Sequence, residues 1–270
     1  MKQERLDKIL AGTGLFSRAQ ARAEIQSGAV AVDGAALRRP EAKVSRSSVV
    51  TVRGEAVDTS EFVYCMMNKP AGYVCSSRDE GAYPSVLGLL PEYLRRRGLS
   101  CVGRLDADVT GLLLLTDDGG YAHRVTSPRG EISKRYEIYT DGPLTPEDAE
   151  ALGEGVTLRD GTVYRPALLE LDPASDRHGY ITVTEGKYHE VKNLVASRGL
   201  RVTAMSRRSI GALALDGALD FGQFHHLTEE EASRHQEAEG TLDELADLQL
   251  ELYTKIQPFA GCYGINLYDM

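Results

Sequence analysis

Two carboxylates, Asp106 and Asp108, lie in a short segment that runs directly into a stretch of four leucines. The segment reads Gly103-Arg104-Leu105-Asp106-Ala107-Asp108-Val109-Thr110-Gly111, and the leucines follow at 112–115. Four leucines bounded by Gly111 and by the Asp-Asp-Gly-Gly run at 117–120 are too few for a helix and predict a strand that is buried on both faces. A loop that is anchored at the mouth of such a strand holds its side chains rigidly, as a catalytic acid requires.

Asp106 is the stronger candidate of the two for chemistry. It stands beside an apolar residue and close to Arg104, so we expect its charge to be retained by pairing rather than by solvent. Asp117 and Asp118 precede two glycines and a helical pattern, which is typical of a turn and a helix N-cap. A hydrolase that uses Asp106 and Asp108 as paired carboxylates is a weaker alternative, because an i, i+2 spacing in a loop does not oblige them to converge.

Three pieces of this region resemble a known signature. Gly103-Arg104-Leu105-Asp106, Thr110-Gly111-Leu112-Leu113-Leu114-Leu115-Thr116 and Asp118-Gly119 are similar to the signature of RNA pseudouridine synthases. The similarity is greatest to the branch typified by ribosomal small-subunit pseudouridine synthase A. The resemblance implies that Asp106 is the essential catalytic carboxylate and that the reaction isomerises a uridine of structured ribosomal RNA to pseudouridine.

Two further stretches carry the same resemblance and add catalytic residues. From Lys134-Arg135-Tyr136 the resemblance implies that Tyr136 belongs to the catalytic site, where it would stack on a flipped uridine. The residues alone also allow Tyr136 to be a packed core tyrosine. From the stretch Glu185-Gly186-Lys187-Tyr188-His189-Glu190-Val191-Lys192 the resemblance implies that Lys192 is the basic partner of Asp106, which keeps a buried carboxylate ionised.

We predict substrate contacts for Arg104, Lys69 and Leu194. Arg104 would hold phosphate beside the catalytic loop. Lys69 stands in Asn68-Lys69-Pro70-Ala71-Gly72, another stretch that resembles the family, and the Pro/Gly turn favours a loop that faces the site. A surface lysine at a strand end is the alternative. Leu194 lies on the apolar face of a helix that starts after a strand.

Residues 1–58 form a separate pattern of two short helices followed by strands. Ser17 is a candidate N-cap, Gly28 a candidate C-terminal stop, and Arg18 and Arg22 share one helix face. A solvated helix face would explain the two arginines equally well. The order of residues resembles the RNA-binding module first described in ribosomal protein S-four, which implies an RNA-positioning role for Arg5, Lys8, Ser17, Arg18 and Arg22.

The chain as a whole predicts an α+β fold in three parts. Residues 1–58 are the small helical and β RNA-binding module, residues 62–230 a catalytic domain with a mixed, mainly antiparallel sheet and flanking helices, and residues 231–270 an acidic extension. From Thr228 onward ten acidic residues stand against two basic ones, a balance of −8, whereas the whole chain carries −9. Leucines at 242, 245, 248 and 252 predict an amphipathic helix in this extension.

Composition bounds the remaining questions. A hydrophobic fraction of 42% and a charged fraction of 26% are typical of a globular protein, and no window approaches a membrane span or a signal peptide. The four cysteines, at 65, 75, 101 and 262, have no metal-site spacing, which predicts reduced thiols and a cytoplasmic location. We expect a monomer whose partner is ribosomal RNA, with no metal or organic cofactor because the reaction involves no redox or group-transfer step.

The function predicted from the sequence is therefore pseudouridine formation in ribosomal RNA, with the small subunit as the first target. A synthase that acts on large-subunit ribosomal RNA is the nearest alternative. A non-catalytic RNA-binding or ribosome-assembly factor is the alternative from another class. The sequence leaves open whether Asp106 adds to the sugar, adds to the base or removes a sugar proton.

Overall fold

The computed structural model describes residues 3–234. The described chain divides into two compact units: the first contains residues 3–126 together with Asp216–Glu229, and the second contains Ser127–Leu215 and residues 230–234. Both units combine helices with antiparallel sheets, which confirms the predicted α+β class. The predicted domain boundaries stay predictions, and the leucine-rich helix predicted within the acidic extension lies outside the described residues.

The N-terminal module of the first unit packs two helices on short antiparallel strands. Its elements are β1 (Gln3–Arg5), α1 (Leu6–Gly12), α2 (Arg18–Ser27), β2 (Val30–Val32), β3 (Ala35–Ala36), β4 (Lys43–Ser45), β5 (Val50–Val52) and β6 (Glu55–Val57). β1 pairs with β4, and the other four strands form a sheet in the order β3-β2-β5-β6. Buried aliphatic side chains of both helices and of β2, β4 and β5 form one core, which holds the helices on the strands.

Local sequence sets both ends of α2. The Ser17 hydroxyl accepts a hydrogen bond from the Gln20 amide at 3.2 Å, and the Gln20 side chain accepts one from the Ser17 amide at 2.8 Å. These two bonds complete a capping box, so the predicted N-cap is confirmed. Gly28 ends the helix with a φ of 86°, a left-handed conformation that glycine adopts without steric cost.

The rest of the first unit contains four antiparallel strands and two helices. Its elements are β7 (Tyr64–Lys69), α3 (Glu92–Arg97), β8 (Ser100–Val102), β9 (Thr110–Thr116), α4 (Gly119–Thr126) and, late in the chain, β17 (Phe224–Leu227). The strand order is β8-β9-β7-β17. Residues 111–116 of β9 are all buried, which confirms the predicted four-leucine core strand. One face of β7 and β9 packs on α3 and on a 3₁₀ turn at Val86–Leu89.

Two arginines fix the segment that joins the N-terminal module to β7. Arg46 of the module donates to the carbonyl oxygen of Thr59 at 2.8 Å. Arg97 of α3, which is almost fully buried, donates to the carbonyl oxygen of Glu61 at 3.0 Å and pairs with Asp117 at 2.8 Å. These hydrogen bonds reach the segment both from the module and from α3. The segment that joins the module to β7 is therefore fixed in place and is not a flexible linker.

The second unit also consists of antiparallel strands and helices. Its elements are β10 (Lys134–Thr140), α5 (Pro146–Gly153), β11 (Val156–Thr157), β12 (Val163–Tyr164), β13 (Leu168–Asp172), β14 (Ser175–Val183), α6 (Glu190–Ser197), β15 (Val202–Ile210) and β16 (Leu213–Ala214). Four strands follow the order β13-β14-β10-β15, β16 pairs with β15, and β11 and β12 form a separate ribbon. Along β10, Tyr136 and Ile138 are buried and Arg135, Glu137 and Tyr139 face outward, as the alternation predicts.

The last described helix is α7 (Glu229–Ser233). Within residues 3–234 no helix is both long and apolar enough to cross a membrane.

Candidate active site

The loop that carries Asp106 connects the end of β8 to the start of β9. Leu105 and Val109 are buried on either side of Asp106, which is itself half-buried, while Arg104 is exposed. The amide of Val109 donates to the carbonyl oxygen of Asp106 at 3.1 Å and closes a tight turn. The two apolar anchors and this turn restrict where the carboxylate can point, as the sequence predicts for a catalytic acid.

Lys69 holds this loop from inside the protein. Its side chain is 0% exposed, and its ammonium group donates to the carbonyl oxygens of Val109 at 2.8 Å, Pro70 at 3.0 Å and Asp106 at 3.2 Å, with that of Ala107 at 3.5 Å. The alternative of a surface lysine is therefore wrong. The predicted substrate contact is wrong as well, because a side chain without exposed surface positions the loop instead of touching a substrate.

The rest of the Asn-Lys-Pro-x-Gly stretch completes the support of the loop. Gly72, whose φ is 85°, donates its amide to the carbonyl oxygen of Ala107 at 2.7 Å. Slightly further on, the Cys75 sulfur accepts a hydrogen bond from the Leu105 amide at 3.4 Å. Residues 105–109 thus depend on hydrogen bonds from this stretch for their position. This dependence gives a physical reason why the Asn-Lys-Pro-x-Gly stretch and the Gly-Arg-Leu-Asp segment occur in the same chain.

Burial also changes the electrostatics of Lys69. It lowers the pKa of the Lys69 ammonium from its ordinary value, and the neighbouring Cys75 thiol and the carboxylates of Asp108 and Asp106 oppose that shift. The backbone carbonyl oxygens around the ammonium group favour its charged form in the same way. A cation is thereby placed behind a loop that bears two acids.

Asp117 and Asp118 have the structural roles that the sequence predicts. The Asp118 side chain accepts hydrogen bonds from the Tyr121 amide at 3.0 Å, in the first turn of α4, and from the Tyr64 hydroxyl at 2.9 Å. Asp117 accepts from the Val63 amide at 2.8 Å in addition to its pair with Arg97. Both carboxylates are therefore occupied in holding the sheet and its helices.

In the second unit, Tyr136 stands among buried cations. Tyr136 is 8% exposed, and its cross-strand neighbour on β15 is Arg207, which is 2% exposed. Lys134, two residues before Tyr136 on the same face of β10, is also buried and donates to the carbonyl oxygen of Ile132 at 2.9 Å. Such a group of cations beside an aromatic ring suits a nucleotide, which presents oxygen acceptors around a flat base.

Burial and charge set unusual pKa values in this group. Burial and, to a smaller extent, the Arg207 guanidinium lower the pKa of Lys134 to about 8, although Glu190 opposes the shift. Burial also raises the pKa of Glu190, whose side chain accepts hydrogen bonds from the amides of Gly186 and Lys187. Lys134 is therefore poised to lose its charge close to neutral pH.

The free energy of unfolding should reveal this shift. Because the folded-state pKa of Lys134, about 8, lies below the ordinary value of 10.5, the unfolded chain binds more protons between these pH values. We therefore expect wild type to gain stability relative to Lys134→Met, on the order of 1–3 kcal/mol, as the pH rises from about 8 to 10.5. Chemical denaturation of both proteins across this range measures the gain, and parallel curves would contradict it.

Helix α6 places Lys192 and Leu194 differently. Lys192 is half-buried, and its predicted pairing with Asp106 stays a prediction. Leu194 is 0% exposed and lies with Val191 and Val195 on the buried face of the helix. The predicted apolar face is confirmed. The predicted substrate contact of Leu194 is wrong, because the side chain packs entirely within the core and exposes no surface to a ligand.

Sequence reasoning missed the two buried cations near Tyr136. A signal for Lys134 was present, since strand alternation places residues 134 and 136 on the same face. Arg207 had no comparable signal, because its position opposite Tyr136 depends on the register between β10 and β15, which the pattern of neither strand fixes.

Three of the five predicted RNA-binding residues of the module, all arginines, interact with the fully buried carboxylate of Asp7. Arg5 makes a two-bond pair with Asp7 at 2.8 and 3.0 Å, and the exposed Arg18 approaches the same carboxylate at 3.9 Å. Arg5 and the charges of Arg18 and Arg22 hold the pKa of Asp7 below its ordinary value, against the effect of burial. One buried anion thus organises three arginines on one surface, with Arg18 and Arg22 exposed on α2.

The other two predicted RNA-binding residues have local partners. Lys8 pairs with Glu4 one turn away, although most of its side chain is exposed. Ser17 uses its hydroxyl as the acceptor in the α2 cap. Neither contact prevents a further hydrogen bond to phosphate, so both residues stay candidates.

Residues 3–234 contain no group of three or more His, Cys, Asp or Glu side chains that could hold a metal ion.

Comparison with known proteins agrees with the geometry of both parts. Residues 63–197 match the family described as RNA pseudouridylate synthase. Residues 4–50 match the S4 domain. The first match contains the Asp106 loop, Lys69, Tyr136 and Lys192, and the second contains α2 and α1, which carries Asp7.

Relatives and a solved structure extend the match over most of the chain. The chain is 40% identical to the ribosomal small subunit pseudouridine synthase A of Escherichia coli (strain K12) over 84% of its own length and 97% of the relative's. It is also 40% identical to the RNA pseudouridine synthase YtzG of Bacillus subtilis (strain 168), over 84% and 96% of the two chains. A crystal structure of a pseudouridylate synthase, 34% identical, aligns with a TM-score of 0.60 over 86% of this chain and 99% of the other.

Proposed function

This chain belongs to the RNA pseudouridylate synthase family, and from that premise we propose that it isomerises one uridine of small-subunit ribosomal RNA. The half-buried Asp106 on a loop that Lys69, Gly72 and Cys75 hold in place is the observation that carries the proposal. The 40% identity to a ribosomal small subunit pseudouridine synthase A supports the choice of target. We further propose that the protein acts as a monomer in the cytoplasm, on free ribosomal RNA or on an assembly intermediate.

The reaction breaks the bond between N1 of uracil and C1′ of the ribose and forms a bond between C5 and C1′. C5 loses a proton and N1 gains one, so the reaction is balanced without a co-reactant. Asp106 is the proposed catalytic carboxylate, whether it adds to the sugar, adds to the base or removes a sugar proton. Its rigid loop would keep the carboxylate near the anomeric carbon while the base turns.

The remaining roles in this proposal divide between base and phosphate. A uridine must leave its stack before its glycosidic bond can be reached, and Tyr136 would then stack on the flipped base. Lys192 would hold Asp106 in its charged form, and Lys134 and Arg207 would make the surroundings of Tyr136 electropositive. Arg104, which is exposed two residues before Asp106, would bind phosphate beside the target nucleotide.

Mapping of pseudouridine tests the proposal directly. We expect the purified protein to convert one uridine in unmodified small-subunit ribosomal RNA and to leave large-subunit ribosomal RNA unchanged. Conversion in the large-subunit RNA alone would contradict the proposed small-subunit target but support the proposed isomerisation. Tight binding of ribosomal RNA without any conversion would favour a non-catalytic assembly factor and contradict the proposal.

The S4 domain would position the RNA through the arginines that surround Asp7. We expect the double variant Arg18→Gln, Arg22→Gln to reduce the slope of log affinity against log salt by about 0.7–0.9 for each lost phosphate contact. Arg53→Gln is the matched control, because Arg53 is an exposed arginine of the same module that pairs with Glu24. An equal slope in the double variant and the control, measured by filter binding, would exclude this surface as an RNA contact.

A further inference from the structure

A wide groove opens in the first unit beside the catalytic loop. Its volume is about 970 Å³, and it lies between the 3₁₀ turn at Val86–Leu89 and α3 on one side and β8 and α4 on the other. Gly103 and Arg104, the first residues of the loop, line it together with Cys75. A volume at the upper end of the range for ligand pockets is more than a single base needs.

Three exposed arginines line this groove: Arg78, Arg95 and Arg104. None of the three has a carboxylate partner among residues 3–234, whereas the next two arginines of α3, Arg96 and Arg97, are both paired. Asp79 is the acid of the lining, so arginines outnumber acids by three to one there. Exposed cations that are not neutralised within the fold are the ordinary footprint of a phosphate-binding surface.

The walls of the groove combine apolar and polar groups. Buried leucines at 90 and 99 contribute apolar surface, and Ser77, Ser100 and Thr126 contribute hydroxyl groups. A strand of RNA likewise presents both anionic phosphates and flat, largely apolar base faces. A small anion would leave the apolar surface without a contact, and an apolar ligand would leave the arginines without an anionic partner.

The groove is coupled to the catalytic loop by the chain itself. Arg104 precedes Asp106 by two residues, so their Cα atoms are at most about 7 Å apart. Cys75, which lines the groove, accepts the hydrogen bond from the amide of Leu105, the residue between them. A polymer that enters the groove therefore passes directly beside the proposed catalytic carboxylate.

We propose that this groove binds the single-stranded RNA backbone of the nucleotides next to the target uridine, through Arg78, Arg95 and Arg104. The inference rests on the proposed function and adds to it a second RNA-binding surface, separate from the arginines around Asp7. The module surface would hold structured RNA, whereas the groove would hold the unpaired nucleotides beside the flipped one. Arg78 and Arg95 thereby become residues that position the RNA strand relative to the catalytic loop.

The test compares Arg78→Gln, Arg95→Gln with Arg96→Gln as the matched control on the same helix. Two lost contacts to single-stranded RNA lower the salt slope by about 1.4, so that between 50 and 200 mM salt wild-type affinity falls about sevenfold more than that of the double variant. The KM for RNA should rise more than kcat falls. Arg78→Lys, Arg95→Lys keeps both charges and should restore most of the slope, which separates loss of charge from a folding defect.

Two outcomes overturn the inference. One is a double variant with the slope and KM of the control, in an assay where wild type forms pseudouridine. The other is a lysine variant as weak as the glutamine variant. If wild type itself forms no pseudouridine, the proposed function fails, and the salt slopes still decide whether RNA occupies the groove.

Discussion

Replacement of Asp106 by Asn is expected to remove pseudouridine formation while RNA binding persists. Two contacts that hold residue 106 in the loop are made by its backbone carbonyl oxygen, which accepts hydrogen bonds from Lys69 and from the Val109 amide. Asn keeps that carbonyl and the size of the side chain but loses the charge and the basicity. A loss of about 10²–10⁴-fold in kcat is the ordinary effect of removing an acid–base group, and loss of a nucleophile is larger still.

Asp108→Asn is the matched control for this variant. Asp108 is an exposed acid in the same loop, two residues away, so the substitution changes the net charge by the same amount. We expect Asp108→Asn to retain most of the activity, measured as pseudouridine formed in single-turnover reactions. Turnover by Asp106→Asn at more than about a hundredth of the wild-type rate would contradict the catalytic assignment. Equal losses of activity in Asp106→Asn and Asp108→Asn would favour a mechanism that uses both carboxylates as a pair.

The sequence predicted the elements whose signals are local. The leucines of β9 specified a buried strand because a run that is apolar at every position can be satisfied only by burial on both faces. Ser17 and Gly28 marked the ends of α2 because capping depends on residues within one turn of the helix end. Asp106 stood out because it stands beside an apolar residue, Leu105, and close to Arg104, and the structure buries Leu105 as an anchor of the loop.

The errors concern side chains whose surroundings come from distant parts of the chain. Lys69 carries a charge, and charged residues are rarely buried without partners, so its full burial could not be read from its neighbours. Three of its four carbonyl partners lie about forty residues ahead and are brought close by the pairing of β7 with β9. Leu194 was assigned correctly to an apolar face, but whether that face meets a ligand or a core depends on packing.

Substitution of Lys69 by Met is expected to lower kcat by about 10²-fold with little change in RNA affinity. Methionine fills nearly the same space but donates no hydrogen bond, so carbonyl oxygens of Val109, Pro70 and Asp106 lose a buried donor. The loop can then recover hydrogen bonds only by shifting, and a displacement of about 1 Å at a catalytic group costs rates of this size. The unpaired carbonyl groups should also lower the free energy of unfolding by about 1–3 kcal/mol.

A second variant separates this positioning effect from simple destabilisation. Leu152→Ala removes a buried core side chain of α5 and should cost about 2–5 kcal/mol of stability, at least as much as Lys69→Met. In an assay well below the melting temperatures of both variants, Leu152→Ala should keep the wild-type kcat. The folded variant has a cavity in the core beside α5, but its Lys69 and its catalytic loop are intact. Full activity of Lys69→Met under the same conditions would show that the buried ammonium serves the fold alone. A selective loss of kcat would show that a lysine without any exposed surface sets the position of the catalytic carboxylate.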